Sequence, residues 1–243
     1  MSTGHAMGGV LAIGQIEVGQ HPTATMFGMT FNLDTIWSTC VAGLVVILLG
    51  LLLRRQITKG TPGRVQLLWE GVVGQVQDQV ERQMGPVAPF VVPLAVTLFV
   101  FIWVANWVEI IPTHDYLPSP TADTNLTFAM ALLVIGWVHV TGVRKKGLVP
   151  YLKHFFQPYP LMFIFNAIEE IAKPLSLALR LFGNMFAGGL MITLIGALFP
   201  VWLLWAPNVA WKLFDMFIGL IQAAIFALLT IVYFSFAVRS EEA

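Results

Sequence analysis

A permanent cation in the middle of a long apolar run is the residue whose chemistry most needs an explanation. Arg180 lies about 20 residues after this run begins at Pro160. Its guanidinium stays charged at any physiological pH, and a charge at the centre of a membrane helix costs about 2.5 to 3.5 kcal/mol on insertion scales. Glu169 and Glu170 lie about three helical turns away, so we expect the counter-charge to come from another subunit.

Most polar side chains of this run share one face of the helix that the run predicts. At about 100° per residue, the members of this face lie within about 40° of Arg180, and Glu170 lies about 80° away. They are Asn166, Glu169, Lys173, Ser176 and Asn184. Beyond Arg180 the face carries Gly183 and Ala187, which would allow another helix to approach closely.

Polar residues also recur in two other apolar runs. Asp215 and Gln222 are seven residues apart in the last run, and about 20° apart in helical angle. Asn106 and Glu109 share a face at the end of the second run. The loop that follows contains His114, Asp115 and Asp123. This pattern predicts a wet, acidic mouth at that end of the molecule.

A simpler interpretation is that these groups only hold helices together. Interhelical hydrogen bonds are common in membranes, and this interpretation suits Asn166 or Ser176 taken alone. Glu169 and Lys173 have the spacing of a stabilising i,i+4 ion pair. His139, inside the third run, is interpreted as a packed or hydrogen-bonded histidine. Arg180 is not explained in this way.

Composition places these residues in a membrane protein. The chain is 57% hydrophobic and 11% charged, with a mean hydropathy of +0.79, whereas a soluble domain carries about 25% charged residues. Equal numbers of basic and acidic residues, 13 each, give no excess for nucleic acid. The single cysteine, Cys40, excludes an intrachain disulfide, and no motif predicts a metal, cofactor or stand-alone enzyme site.

The apolar runs predict an all-α polytopic membrane protein with a single domain over residues 1–243. Three runs have the roughly 20 residues that cross a bilayer: 35–53, 90–111 and 126–143. The runs 160–199 and 201–238 are almost twice that length, so each is either two short spans or one long tilted helix. Pro174 is the one internal proline of the first long run, and no polar turn divides that run. We therefore expect two long tilted helices in an antiparallel hairpin.

Residues 64–84 predict an amphipathic helix on the cytoplasmic side, which either lies on the membrane surface or docks a partner. Basic residues follow the first, third and last runs, and only Lys212 lies at the opposite ends. This bias predicts an extracytoplasmic N-terminal segment, 1–34, and a cytoplasmic C-terminus. Without a recognisable targeting segment, we expect a bacterial plasma membrane.

The block KPLSLALRLFGNMFAG at 173–188 resembles the signature of F-type ATP synthase subunit a. Shorter matches are NWVEIIP at 106–112, Pro118-Ser119, NLT at 125–127, and the stretch from Gln222 to Tyr233. The resemblance covers about residues 35 to 239, and the arginine block is highly specific.

The resemblance implies a mechanism. Arg180 matches the arginine that attracts ionised carboxylates on a ring of c subunits and blocks direct proton leakage between two offset half-channels. It implies Glu169, Glu170 and Lys173 in the inner half-channel and Asn106, Glu109 and Asp215 in the outer one. The remaining residues of the implied pathway are Asn166, Ser176, Asn184 and Gln222, with the last two near the level of the arginine.

The same resemblance implies partners and leaves two points open. It implies the c-subunit ring, b-type peripheral stalk subunits and, indirectly, a soluble head that holds the catalytic nucleotide sites. Protons rather than sodium ions are expected because protons are commoner in the family. Gly189 stands where some members carry glutamate, and Asp215 where those members carry histidine. If Arg180 and Gln222 face each other, position 189 lies close to Asp215, which we expect to replace the missing carboxylate.

Two other classes of protein remain as alternatives. A secondary transporter would show inverted repeats and discontinuous helices, and no such repeat is evident in the sequence. A purely structural subunit of a respiratory complex would leave Arg180 and its polar face without a purpose.

Overall fold

The structure is a computed structural model that describes residues 23–26, 29–57, 63–84, 90–108, 119–154, 156, 159 and 161–238. Two strands, β1 (Thr23–Met26) and β2 (Met29–Asn32), precede seven α-helices. The helices are α1 (Leu33–Gln56), α2 (Arg64–Met84), α3 (Val91–Val108), α4 (Thr124–Lys146), α5 (Leu148–His154), α6 (Met162–Leu198) and α7 (Trp205–Val238).

The prediction of an all-α membrane protein is confirmed, with one addition. Five of these helices, α1, α3, α4, α6 and α7, are long and apolar enough to cross a membrane. The addition is the antiparallel pairing of β1 with β2, in register from Thr23 opposite Asn32 to Met26 opposite Met29. The threonines of the two strands and Phe31 favour extended backbone. The segment has no long apolar run, so its pattern did not predict a strand.

The two long runs each form one helix, as predicted, rather than two short spans. α6 has 37 residues and α7 has 34, which makes them about 55 Å and 51 Å long at roughly 1.5 Å per residue. Pro174 lies inside α6 without ending it. Because a bilayer core is about 30 Å thick, helices of this length fit only when steeply tilted.

The core lies where α3, α4, α6 and α7 meet. Its fully buried side chains include Ile102 of α3, Val134 of α4, Leu177 and Leu181 of α6, and Phe226 of α7. A second cluster joins the end of α2 to α3 and α7 around Val80 and Phe234. α1 contacts this bundle mainly through α3, and most of its apolar surface is uncovered, as suits a helix that faces lipid.

The amphipathic helix α2 has the predicted bounds, and its buried side chains are Gln66 in the first turn and Val80 and Met84 in the final turns. Val80 and Met84 are buried, whereas Val65 and Leu68 near its start are 53% and 74% exposed. Its position on the cytoplasmic surface stays a prediction.

A tight turn after α4 sets the direction of α5. Gly147 caps α4 with a φ of 85°, in the left-handed region that favours glycine. α5 then folds back, so that the Tyr151 ring lies over Gly142, where a Cβ atom would come within 2.6 Å of Cε2. Glycine at 142 therefore permits the position of Tyr151.

Candidate functional site

Arg180 lies at the edge of the packed face of α6. Leu177, Ala178 and Leu181 are buried in the core, which fixes the rotation of the helix and leaves Arg180 partly exposed. The Arg180 carbonyl oxygen accepts a hydrogen bond from Gln222 Nε2 on α7 at 2.7 Å. The expectation that Arg180 and Gln222 face each other is thus confirmed.

Arg180 is partly exposed beside a surface of α6 that the described residues leave uncovered. Ser176, Gly183 and Ala187, on the same side of α6, are exposed. Among the residues that the structure describes, no carboxylate oxygen lies within 4 Å of the guanidinium. The arrangement presents a fixed positive charge, beside small side chains, to whatever packs against α6.

About two to three helical turns before Arg180, ionisable side chains of α4, α5 and α6 form a connected group. We call His139, Tyr151, Glu170 and Lys173 the α4–α6 cluster. His139 Nε2 is 3.3 Å from Glu170 Oε1, and His139 Nδ1 is 2.6 Å from the Tyr151 hydroxyl. Lys173 Nζ donates to Glu170 Oε2 at 2.7 Å.

Lys173 makes two ion pairs, and the expected one, with Glu169, is the longer of them. Their charged atoms are 3.6 Å apart, and the Glu169 side chain is 69% exposed. Lys173 instead makes its short contact with Glu170, three residues away. A spacing of three residues also brings side chains together on a helix, so Glu170 is as natural a partner of Lys173 as Glu169 is.

A cavity of about 110 Å³ lies beside the cluster. Asn166, Glu169 and Tyr233 line it together with members of the cluster. Lys173 Nζ is 6.0 Å from the centroid of the Tyr233 ring. Because one water needs about 10 to 15 Å³ of such volume and two to four polar partners, the cavity has room for several waters.

The hydroxyl of Tyr151 stays protonated in this cluster and remains available for hydrogen bonding. Burial, and secondarily the negative charge of Glu170, raise the pKa of Tyr151 to about 12. Its hydroxyl therefore keeps its proton throughout the physiological pH range, and it is able either to donate to a neutral imidazole or to accept from a charged one.

A second polar group joins α3, α7 and the loop before α4. We call Asn106, Ser119 and Thr121 the polar knot. Asn106 Nδ2 donates to the Gly219 carbonyl at 3.1 Å, and Asn106 Oδ1 accepts from Thr121 Oγ1 at 2.7 Å. Ser119 continues the chain, 2.8 Å from Thr121 Oγ1 and 3.2 Å from the Ala105 carbonyl. Asn106 is buried and bonded on both sides of its amide.

The expectation that Asp123 belongs to a wet mouth is wrong. Asp123 is 5% exposed, and it accepts hydrogen bonds from Asn32 Nδ2 and Thr35 Oγ1, both at 2.7 Å. It also caps α4 by accepting from the Asn125 amide at 2.8 Å. The meeting of the two helix starts buries the carboxylate. Glu109, His114 and Asp115, the other members of the predicted mouth, lie outside the described residues.

Asp215 of α7 lies against the backbone of α6, as expected, but one residue from the expected position. Its carboxylate oxygens are 3.2 Å from where a Cβ of Gly188 would be. Trp211 Nε1, one turn earlier, donates to the Gly188 carbonyl at 3.2 Å. Gly188, next to the expected Gly189, therefore makes a close contact with Asp215.

The remaining predicted residues do not join either group. Ser176 is exposed to the uncovered side of α6. Asn184 has a buried Nδ2 atom with no hydrogen-bond partner in the described part of the chain. Tyr151 and Tyr233 were missed by the sequence reasoning, and His139 was noted only as a packed or hydrogen-bonded histidine. The sequence offered one indication of Tyr151: it is a tyrosine shortly after Gly147, which follows the third apolar run.

The amino-acid sequence of the chain is similar to those of known proteins. The family described as "ATP synthase A chain" matches residues 35–235. "ATP synthase subunit a" of Acidothermus cellulolyticus is 48% identical, over 94% of this chain and 84% of the relative. The protein of the same name from Mycobacterium tuberculosis is 48% identical, over 94% and 96%, and that from Desulforamulus reducens 34%, over 86% and 81%. This chain belongs to the ATP synthase A chain family.

Proposed function

We propose that the chain is the stator subunit a of a proton-translocating F-type ATP synthase, and that Arg180 is its essential charge. The observation that carries this proposal is a partly exposed Arg180 beside small, exposed side chains of α6, with no carboxylate of the described residues within 4 Å of its guanidinium. A ring of c subunits, each with one carboxylate in the membrane, would supply both the missing helix surface and the missing negative charge.

Arg180 acts by electrostatics. A fixed cation favours the ionised form of a nearby carboxylate, so each ring carboxylate releases its proton when it comes opposite Arg180. The same positive charge repels a proton that would otherwise pass directly from one half-channel to the other. Protons then cross only when the ring turns, and the rotation drives ATP synthesis in the soluble head. This chain itself is not the catalytic subunit.

The inner half-channel consists of Asn166, Glu169, Glu170 and Lys173. The support is that all four border or form the cavity of about 110 Å³. Glu170 and Lys173 have side-chain exposures of 22% and 20%, so they are accessible without being fully solvated. Polar groups around room for water are what a proton path requires.

The outer half-channel consists of Asp215, Asn106 and Glu109, with Asn184 and Gln222 at the level of the arginine. Asp215 has the structural support, because its carboxylate lies between α6 and α7 on the other side of Arg180 from the cluster. Asn106 contributes by fixing α3 to α7 at Gly219. In this assignment the N-terminus is extracytoplasmic, the C-terminus is cytoplasmic, and the b-type stalk subunits hold the chain in a bacterial plasma membrane.

The proposal is tested with Arg180→Ala in inverted membrane vesicles that contain the whole complex. ATP-driven acidification should vanish while pull-down still recovers the c ring with this chain. Arg55→Ala, at the exposed end of α1, is a control that removes an arginine and should pump normally. Pumping near wild-type rates in assembled Arg180→Ala would show that the arginine is structural and would refute the mechanism.

Two further variants test the outer assignments. Neutralising Glu109 as Glu109→Gln should slow proton transport, and an unchanged rate removes Glu109 from the path. The paired change Gly189→Glu with Asp215→His should keep part of the transport if the two positions form one local site. Complete loss, with assembly intact, would contradict a shared site.

A further inference from the structure

His139 is bonded through both of its ring nitrogens, and to groups of different kinds. Nδ1 is 2.6 Å from the hydroxyl of Tyr151 on α5, and Nε2 is 3.3 Å from a carboxylate oxygen of Glu170 on α6. Its side chain is 33% exposed. A histidine that only fills space between helices needs neither of these partners, whereas a histidine that passes protons needs one on each nitrogen.

The partner on Nδ1 is suited to both protonation states of the ring. The Tyr151 hydroxyl keeps its proton at physiological pH, as its raised pKa indicates. When the imidazole is neutral, this hydroxyl donates to Nδ1 and places the ring proton on Nε2, facing Glu170. When the imidazole is charged, the hydroxyl rotates and accepts from Nδ1–H. No other movement of Tyr151 is required.

We propose that His139 is a proton-relay residue between the cytoplasm and Glu170, and that the Tyr151 hydroxyl both sets its tautomer and passes protons to Nδ1. This inference rests on the proposed function and names a route for its inner half-channel. Protons reach Glu170 through the imidazole, and leave by the same route when the ring turns the other way.

The relay conserves atoms and charge at each step. The Nε2–H bond of His139 breaks as an O–H bond forms on the Glu170 carboxylate. An N–H bond forms at Nδ1 with the proton of the Tyr151 hydroxyl, and the phenol oxygen takes a proton from a hydronium ion on its water side. The ring then returns to its first tautomer: the proton on Nδ1 leaves through the Tyr151 hydroxyl to water, and Nε2 takes a proton from a hydronium ion at the exposed side of the ring. The net result is one proton moved from water to Glu170.

The other charged or titratable groups around His139 favour exchange rather than a permanent ion pair. Lys173 Nζ, 2.7 Å from Glu170 Oε2, shares that carboxylate with the imidazole. Glu169 of α6, Lys146 of α4 and Tyr233 of α7 border the same cavity. Because Lys173 and the imidazole contact different oxygens of the Glu170 carboxylate, the imidazole is one of two partners of Glu170 and not its sole counter-charge.

The test is ATP-driven proton pumping by the whole complex in inverted vesicles, measured for His139→Ala as a function of pH. We expect pumping to fall on the order of tenfold, the lower range of what a positioned acid–base group contributes. The dependence of pumping on pH should also flatten, because a group that exchanges protons is lost. Added imidazole should restore part of the rate, since it replaces the missing proton carrier without repairing helix packing.

Thr141→Val is the matched control. Thr141 is buried on the same helix and bonds only within it, to the Trp137 carbonyl, so its loss should leave pumping and the pH profile unchanged. Wild-type pumping and an unchanged pH profile in assembled His139→Ala would overturn the proposal. Reduced pumping that imidazole does not restore would also overturn it, because the histidine would then be structural.

Tyr151→Phe keeps the ring and removes only the hydroxyl, so it tests the proposal even if His139→Ala does not assemble. We expect reduced pumping with a shifted pH profile, and a profile identical to that of the wild type would count against the relay. Arg180→Ala, assayed in parallel, separates the two proposals. If Arg180→Ala is inactive while both cluster variants pump normally, only the relay is wrong; if Arg180→Ala pumps, the proposed function itself has failed.

Discussion

In the polar knot, Asn106, Ser119 and Thr121 are 5%, 4% and 0% exposed, and their hydrogen bonds run to backbone carbonyls and to each other. In the α4–α6 cluster, the His139, Glu170 and Lys173 side chains are 33%, 22% and 20% exposed, and Glu170 and Lys173 border a cavity. The knot contains neutral groups with fixed partners, whereas the cluster contains charges that share partners.

This contrast separates two uses of polarity in a membrane protein. A buried neutral group with fixed partners holds helices in register, and breaking it leaves unpaired groups at high cost. A partly exposed charge with two partners loses little when one is removed, because water replaces it. We therefore expect changes in the knot and at Asp123 to destabilise the protein, and changes in the cluster to impair transport.

The largest loss of stability is expected for Asp123→Ala. Removing this carboxylate leaves Asn32 and Thr35 without their acceptor and α4 without its cap, at about 2 to 4 kcal/mol in total. In the detergent-solubilised complex, the temperature at which this chain unfolds and dissociates should therefore be lower than in the wild type. Asp123→Asn retains a capping oxygen and should lose less. Equal melting of both variants and the wild type would mean that the carboxylate does not hold α1 to α4.

The next largest effect is expected for Gly219→Ala in the knot. Its new Cβ would come 3.1 Å from the Asn106 Cβ and push α7 away from α3, at about 1 to 3 kcal/mol, as for other overpacked sites. Gly136→Ala is the control, because nothing lies within 4 Å of its Cβ position. The same thermal measurement should show a loss only for Gly219→Ala, and similar values for the two would contradict a tight α3–α7 contact.

Glu170→Gln should change stability by less than about 1 kcal/mol, as is usual for partly exposed ion pairs. Pumping in vesicles should nevertheless fall, because the amide cannot carry the proton. Glu81→Gln, which alters an exposed i,i+4 contact on α2, should affect neither property. A variant of Glu170 that melts early but pumps at the wild-type rate would reverse the assignment of the cluster.

The smallest effect is expected for Gly142→Ala. The added methyl displaces the Tyr151 ring, whose Cε2 lies 2.6 Å from the Cβ position, and so lengthens the contact between Tyr151 and His139. The ring is able to move, which keeps the change in stability near zero, but pumping should fall in the same direction as for Tyr151→Phe. Pumping equal to that of Gly136→Ala would show that the tyrosine contact is dispensable.

The helices were predictable from the sequence because the patterns that form them are local. The bounds of α2 followed from helical spacing, and the length of α6 followed from an apolar run without a polar turn. The facing of Arg180 and Gln222 required only that two such helices be antiparallel.

The side-chain partners were not predictable in the same way. Asp123 is buried because the start of α1 meets the start of α4, which the sequence does not state. The preference of Lys173 for Glu170 depends on how a flexible side chain bends. Tyr151 enters the cluster only because the turn at Gly147 folds α5 back over α4. The contacts of Asp123 and Tyr151 depend on how elements distant in sequence pack, and that of Lys173 on which of two nearby carboxylates it selects.

Pro174, inside α6, has one more consequence for the cluster. Proline has no amide hydrogen, so the carbonyl oxygen of Glu170, four residues earlier, does not receive the hydrogen bond that an α-helix normally supplies. A strong acceptor of the main chain is thereby left beside the residue that pairs with His139 and Lys173. Water in the adjoining cavity would satisfy it. The helix backbone itself would then help to hydrate the point at which a proton enters or leaves.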